Sequence, residues 1–231
     1  MLEISTWLEK YTATVQAVFH QRVWFIGLQG SYARGEAAAN SDIDVVLILD
    51  RLNPTDLQTY RALLDTLPHR EKVCGFVSGR GELLAWAPWD LFQFYHDTVP
   101  LYGTLDDLRE KFSLADVWQA IHNGTCNLYH QCVHHAVHEQ DGEGLKALYK
   151  AAAFTLQAIG YVETGAYIRE REALFAALPP QDREILSGWL ALREKTELTP
   201  AEFSGYTGAL LEWASGWIRR AGRRLTGCGR E

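Results

Sequence analysis

No apolar run in this 231-residue chain approaches the roughly 20 residues that a membrane-spanning helix needs. The opening residues, MLEISTWLEKY, carry acids where a secretory signal would carry a basic n-region, so none is expected. A basic excess is also lacking: 22 Lys and Arg stand against 29 Asp and Glu, a formal net charge of −7. Broad, sequence-independent nucleic-acid binding rests on neutralising phosphates, and this balance argues against it. It is compatible with a cationic small partner. The four cysteines, Cys74, Cys126, Cys132 and Cys228, form no CxxC pair and no even framework. A chain of this size does not need disulfide staples, so reduced thiols in a cytoplasm are expected. There is no internal repeat and no low-complexity tract. What remains, 47% apolar and 22% charged residues, is the composition of a soluble globular protein of one large or two modest domains.

The apolar pattern changes character near residue 105. Before it, Ile4, Leu8, Tyr11, Val15 and Val18 fit one face of an amphipathic helix over 3–20. Val23 to Leu28 reads as a short buried strand ending at Gly30, and Ile43 to Leu49 as a second. Asn53-Pro54 opens a helix to about Leu67. Lys72 to Val77 reads as a third strand, broken by Ser78-Gly79-Arg80-Gly81. A short helix over Asp90–Tyr95 and a closing strand over Val99–Tyr102 complete this half. After it only helical stretches are expected, at 114–140, 143–161, 167–195 with a break at Pro179-Pro180, and 200–225. Leu145, Leu148, Ala152, Thr155 and Ile159 mark the face of one of them; Phe203, Leu210, Trp213, Ala214 and Trp217 mark that of the last. The expected class is α+β: a mixed α/β sheet domain over 1–104, then an antiparallel helical bundle over 105–231.

The chemistry concentrates in residues 30–49, GSYARGEAAANSDIDVVLIL. Side chains two apart on a strand share a face, so Asp42 and Asp44 lie together with Cα atoms roughly 6.6 Å apart, while Ile43 turns to the core. Two adjacent carboxylates repel unless a cation sits between them, and hard oxygen donors suit Mg²⁺ or Mn²⁺. Taken alone, Asp-x-Asp reads as a strand-entry turn. Gly30-Ser31 changes that reading. Glycine lets the backbone turn tightly against a ligand, and a serine hydroxyl with the first N–H groups of a helix forms a phosphate cradle. Cradle and carboxylate pair then sit on neighbouring strands.

These residues resemble the signature of the DNA polymerase beta-like nucleotidyltransferase superfamily, nearest to the small bacterial enzymes typified by kanamycin and streptomycin nucleotidyltransferases. The likeness is strong over 22–50 and looser to 104. It implies transfer of a nucleoside monophosphate from a triphosphate, ATP by preference, to an acceptor hydroxyl, with release of pyrophosphate. Gly30 and Ser31 would hold the β- and γ-phosphates, with Arg34 and Ser41 beside them, and Asp42 and Asp44 would hold the metals. The superfamily adds a third acid on a later strand. Lys72 to Val77 has none in its middle, so Glu71 at its entrance is the first candidate, followed by Glu82 and Asp90, the last better read as a helix cap. A lysine from the helical half reaches the triphosphate in related two-domain enzymes, and Lys150 takes that role here. Tyr149 beside it could stack on a ligand, though core packing suits it better.

Other features have plainer readings. His130, His134 and His138 recur every four residues, with Cys132 and His135 nearby, and read as a wet helix face before a metal site. Trp86 and Trp89 could line a cleft but fit packing better. Arg219, Arg220, Arg223 and Arg224 complement a helix dipole. Three functions compete: nucleotidylation of a small hydroxylated acceptor such as an aminoglycoside, a non-catalytic nucleotide-binding or antitoxin-like protein, and nucleotidylation of protein side chains. The helical faces could serve a homodimer as well as a core.

Overall fold

In the computed structural model, which describes residues 3–227, the chain divides into two compact units at Lys111/Phe112. Cys228 lies outside the described residues. None of the described helices is long and apolar enough to cross a membrane.

The first unit is a four-stranded sheet with helices: α1 (Ile4–Phe19), β1 (Val23–Gln29), α2 (Gly30–Ala33), β2 (Ile43–Leu49), α3 (Pro54–Leu64), β3 (Val73–Gly79), α4 (Arg80–Leu84), α5 (Pro88–Asp97), β4 (Val99–Tyr102) and α6 (Asp106–Arg109). Strand order is β3-β2-β1-β4. β1 and β2 are antiparallel neighbours; α3 is the crossover that makes β3 parallel to β2. The central strand β2 is buried on both faces, Ile43 and Val45–Leu49 being at most 1% exposed, which explains its unbroken apolar run. One face packs Ile43, Val45, Leu47 and Leu49 with Ile26 and Leu28 against α1 and α3. On the other, Phe94 of α5 meets Phe76 of β3 with ring centroids 5.3 Å apart.

α1 buries Trp7, Tyr11, Val15 and Phe19, with Ile4 and Leu8 of the expected face packed against the same core; Val18 alone of that face is exposed. Two polar anchors hold the helix there. The Trp7 indole donates to the Pro68 carbonyl at 2.7 Å, and the Tyr11 and Tyr60 hydroxyls lie 2.8 Å apart. β3 runs two residues past the expected break, because Ser78 and Gly79 pair with Ile48 and Leu49. α4 and α6 are short helices without a periodic signal, and α6 carries the first unit beyond residue 104.

The second unit is all helical: α7 (Leu114–His138), α8 (Gly142–Thr164), α9 (Arg171–Ala177), α10 (Pro180–Arg193) and α11 (Pro200–Gly227). α8 is its central helix, touching α7, α9, α10 and α11. From Ala152 to Gly160 it is buried on almost every side, as a core helix is. Helix α7 is closed at its start by a reciprocal Ser113–Asp116 capping box, and α8 by Asp141, whose Oδ1 accepts from the Gly144 N–H at 2.7 Å. Pro179 and Pro180 separate α9 from α10, since proline suits a first helical turn and not an interior. Among the described residues Cys74, Cys126 and Cys132 are free thiols.

Candidate active site

Topology gathers the candidate residues at one end of the sheet. β1 ends there, and β2, β3 and β4 begin there: Gln29 pairs with Asp44, Ile43 with Val73, and Leu28 with Val99. Gly30 leaves β1 with φ of +70°, a backbone state that favours glycine, and starts the single turn α2. A Cβ at Gly30 would collide with the carboxylate of Asp44. The metal-ligand candidate and the candidate phosphate turn therefore share a wall, and the missing side chain makes the room. The turn is closed by Arg34 N–H to the Gly30 carbonyl at 3.3 Å and Glu36 N–H to that of Ser31 at 2.9 Å. Its first amides point out of the helix end, as they must.

Asp44 is half-buried and Asp42, just before the strand, is exposed; Ile43 between them is fully buried in the core. Asp44, alternating with Ile43 along β2, is on the face opposite α1 and α3, and Asp42 immediately precedes the strand. Hard donors, partial exposure and a neighbouring cradle that a Cβ would fill fit a divalent cation.

The other candidates are placed differently. Ser41 Oγ accepts from the Ala38 N–H at 2.9 Å and holds the loop that leads into β2. The Arg34 Nε donates to Glu36 at 3.1 Å, with its side chain largely buried inside the turn. Glu71 lies in a short 3₁₀ turn before β3, at the site end of the sheet, with a 72% exposed side chain and His69 at 3.7 Å. Glu82 sits in α4 beyond the opposite end of β3 and folds back over Gly79. Five strand residues, roughly 16 Å, separate that end from Asp44. Asp90 is in the first turn of α5, an exposed helix-start acid. Lys150 is on the exposed side of α8 in the second unit, and Tyr149 is buried there, its hydroxyl donating to the Tyr206 carbonyl at 2.9 Å. Trp86 packs edge-on against Phe76 and Phe94.

Two residues join the site that sequence spacing alone does not single out. On β3 the partner of Asp44 is Cys74, exposed and on the same face. On the other side, Thr98 receives a hydrogen bond from the Gln29 amide at 2.7 Å, and its methyl group occupies the space a Cβ at Gly27 would need. Thr98, Gln29, Asp44 and Cys74 thus form one row across the sheet. Asp97, next to Thr98, is a half-buried acid at the same end. Reading these positions from sequence requires the register between segments thirty to seventy residues apart.

Residues 18–84 match the model of the nucleotidyltransferase domain family. Over those residues the chain is similar to nucleotidyltransferase domains. The match spans β1 through α4, the segment that builds the Gly30–Asp44 wall. No curated protein sequence matches the chain closely enough to serve as a relative. Among solved structures, the spectinomycin adenyltransferase AAD(9) from Enterococcus faecialis, determined with ATP and spectinomycin, shares the fold: TM-score 0.55 at 16% identity, over 91% of this chain and 99% of that one. A toxin-antitoxin structure with AMP-PNP gives TM-score 0.31 at 23% identity, over 45% of this chain and 79% of that one. A nucleotidyltransferase-like protein from Exiguobacterium sibiricum gives 0.35 at 13%, over 95% and 78%. The sheet unit and the helical unit after it make the chain α+β, as expected from the sequence.

Proposed function

We propose that this protein transfers a nucleoside monophosphate from a triphosphate, ATP first, to a hydroxyl of a small acceptor at the end of the sheet where β1 stops and β2 begins. The supporting observation is the seat of the Asp44 carboxylate against the α-carbon of Gly30. A triphosphate lying on the Gly30-Ser31 turn has its oxygens beside Asp42 and Asp44. Those two carboxylates would hold Mg²⁺ or Mn²⁺, which when bound neutralises charge on the attacking and leaving oxygens.

The chain's own residues do the rest. Gly30 admits the phosphate close to the backbone, and the Ser31 hydroxyl and amide donate to its oxygens. Ser41 keeps the entry loop in place and Arg34 stiffens the turn. The acceptor oxygen bonds to the α-phosphorus as the bond to the bridging oxygen breaks, so pyrophosphate leaves with that electron pair. The hydroxyl proton passes to a carboxylate, for which Glu71 is the candidate. The AAD(9) neighbour contains spectinomycin and ATP, and a net charge of −7 would draw a polycationic acceptor of the aminoglycoside type.

The test is transfer of label from ATP with Mg²⁺ to a panel of aminoglycosides and aminocyclitols. Transfer is expected with the native chain and absent after Asp42→Asn with Asp44→Asn; transfer that survives the double change removes the site assignment. Cys74 supports a second reading, because β3 offers a thiol and no carboxylate opposite Asp44. A protein that binds ATP in a calorimeter but modifies no acceptor is a nucleotide sensor. Cys74→Asp would then be expected to switch transfer on.

A further inference from the structure

In the second unit, at the turn between α7 and α8, His135, Glu139 and Asp141 each present a ligand atom, and these atoms all lie within 4.8 Å of one another. His135 Nε2 is 3.2 Å from Asp141 Oδ2 and 4.0 Å from Glu139 Oε2. Bonds of 2.0–2.2 Å in a tetrahedral zinc site put neighbouring ligand atoms roughly 3.3–3.6 Å apart; the His135–Asp141 separation is already close to this, and the exposed Glu139 side chain closes the rest by a rotamer change. We propose that His135, Glu139 and Asp141 form a binding site for a divalent transition ion of the zinc class, independent of the nucleotide site.

Three features show that this corner is built and not a chance meeting of surface charges. First, His135 is buried, at 4% exposure, while His130, His134 and His138 on the same helix are exposed. Second, the backbone is arranged around its ring. Gln140 takes a left-handed φ of 57°, which turns the chain back so that both neighbours, Glu139 and Asp141, reach the same nitrogen. Gly144 is required there, since a Cβ would collide with His135 Nε2 and Cδ2. Third, Asp141 divides its oxygens: Oδ1 caps α8 through the Gly144 N–H, and Oδ2 meets His135 Nε2 at 3.2 Å, a contact that an ion between the two would replace.

Asp141 also borders a groove of about 700 Å³ whose lining includes Gly142, Leu198, Phe203 and Thr207. The Thr207 hydroxyl is buried in that lining and has no hydrogen-bond partner in the structure. Three protein ligands leave a coordination position for water or an anionic ligand group, and a polar atom in the adjoining groove without a partner is suited to that ligand.

The test uses the full chain, stripped with a chelator, in a background carrying Asp42→Asn and Asp44→Asn so that the other carboxylates do not report. Co²⁺ is the spectroscopic probe and Zn²⁺ the calorimetric one. The expected result is one tight equivalent with the strong visible absorption of low-coordinate Co²⁺. Glu139→Gln, on an exposed side chain, and Asp141→Asn, which keeps the cap, should each weaken it by at least about tenfold. His134→Asn with His138→Asn should leave it unchanged. Binding that survives both carboxylate changes, that follows His134 and His138, or that gives only the weak spectrum of hydrated Co²⁺ overturns the proposal.

Discussion

Asp56 in the first unit and Asp182 in the second are both buried, at 7% and 0% exposure, yet they are held by opposite means. Asp56 takes two hydrogen bonds from the Arg22 guanidinium at 2.7 and 2.9 Å and another at 2.7 Å from the Asn53 N–H, closing the capping box of α3. Asp182, in the first turn of α10, accepts from the indoles of Trp213 and Trp217 at 2.7 and 2.8 Å, both on Oδ1, while Oδ2 has no hydrogen-bond partner. The Arg22 guanidinium, followed by the Asn53 N–H, holds the Asp56 carboxyl well below the usual carboxylate range. Burial pushes Asp182 up, and neutral indole donors only partly oppose it. Burial alone does not set the charge of an acid; the charge of its partners does. The Asp42–Asp44 pair is a third case, two acids two residues apart on one segment at the sheet end.

The largest break in this comparison is Asp182→Ala, which strands two buried indole N–H groups. At roughly 1–3 kcal/mol for each unsatisfied donor, urea unfolding should show a loss of about 2–6 kcal/mol. Asp56→Ala should cost less, since Arg22 is 36% exposed and water can take over part of its solvation; a smaller fall in the same midpoint checks this.

The pH dependence sharpens the contrast. A lowered folded value means that Asp56 stabilises above the ordinary aspartate value of 3.8 and that its contribution is lost as the pH falls below it. A raised value means that Asp182 contributes fully below 3.8 and loses that contribution as the pH rises through its folded value. Stability measured against pH should therefore lose part of its acid-side decline in Asp56→Asn. In Asp182→Asn it should lose part of the decline that begins above pH 3.8, because the amide keeps an acceptor for both indoles without a charge. The smallest effect is expected from Glu202→Gln. Lys195 holds Glu202 down to about 2, but both side chains are about one-third exposed, and exposed pairs contribute little. The thermal midpoint at neutral pH should not move measurably.

Much of the fold was legible because the relevant forces are local. The run from Val45 to Leu49 is apolar at every position, and a strand buried on both faces has no other pattern. Pro179-Pro180 marks the break before α10 by removing a donor and fixing φ. The stripe of α1 was misread at one position, since Val18 and Phe19 fit a helical period about equally well and only the Trp7 and Tyr11 hydrogen bonds choose between them. At the candidate site, Gly30, Ser31, Asp42 and Asp44 stand out by spacing. Cys74 opposite Asp44 does not, because parallel pairing across α3 is a long-range choice. Among the histidines, a spacing of four points to His130, His134 and His138, whereas burial selects His135.

By itself the sequence determined the class, the sheet–bundle order and the motif that brings two carboxylates and a glycine-serine turn onto adjoining strands, since alternation and turn residues act over a few residues. Only the tertiary structure decided which residue faces Asp44 on β3, which histidine is enclosed, and which partners each buried acid meets. Those outcomes depend on register, packing and partners distant in the chain, and no local pattern encodes them.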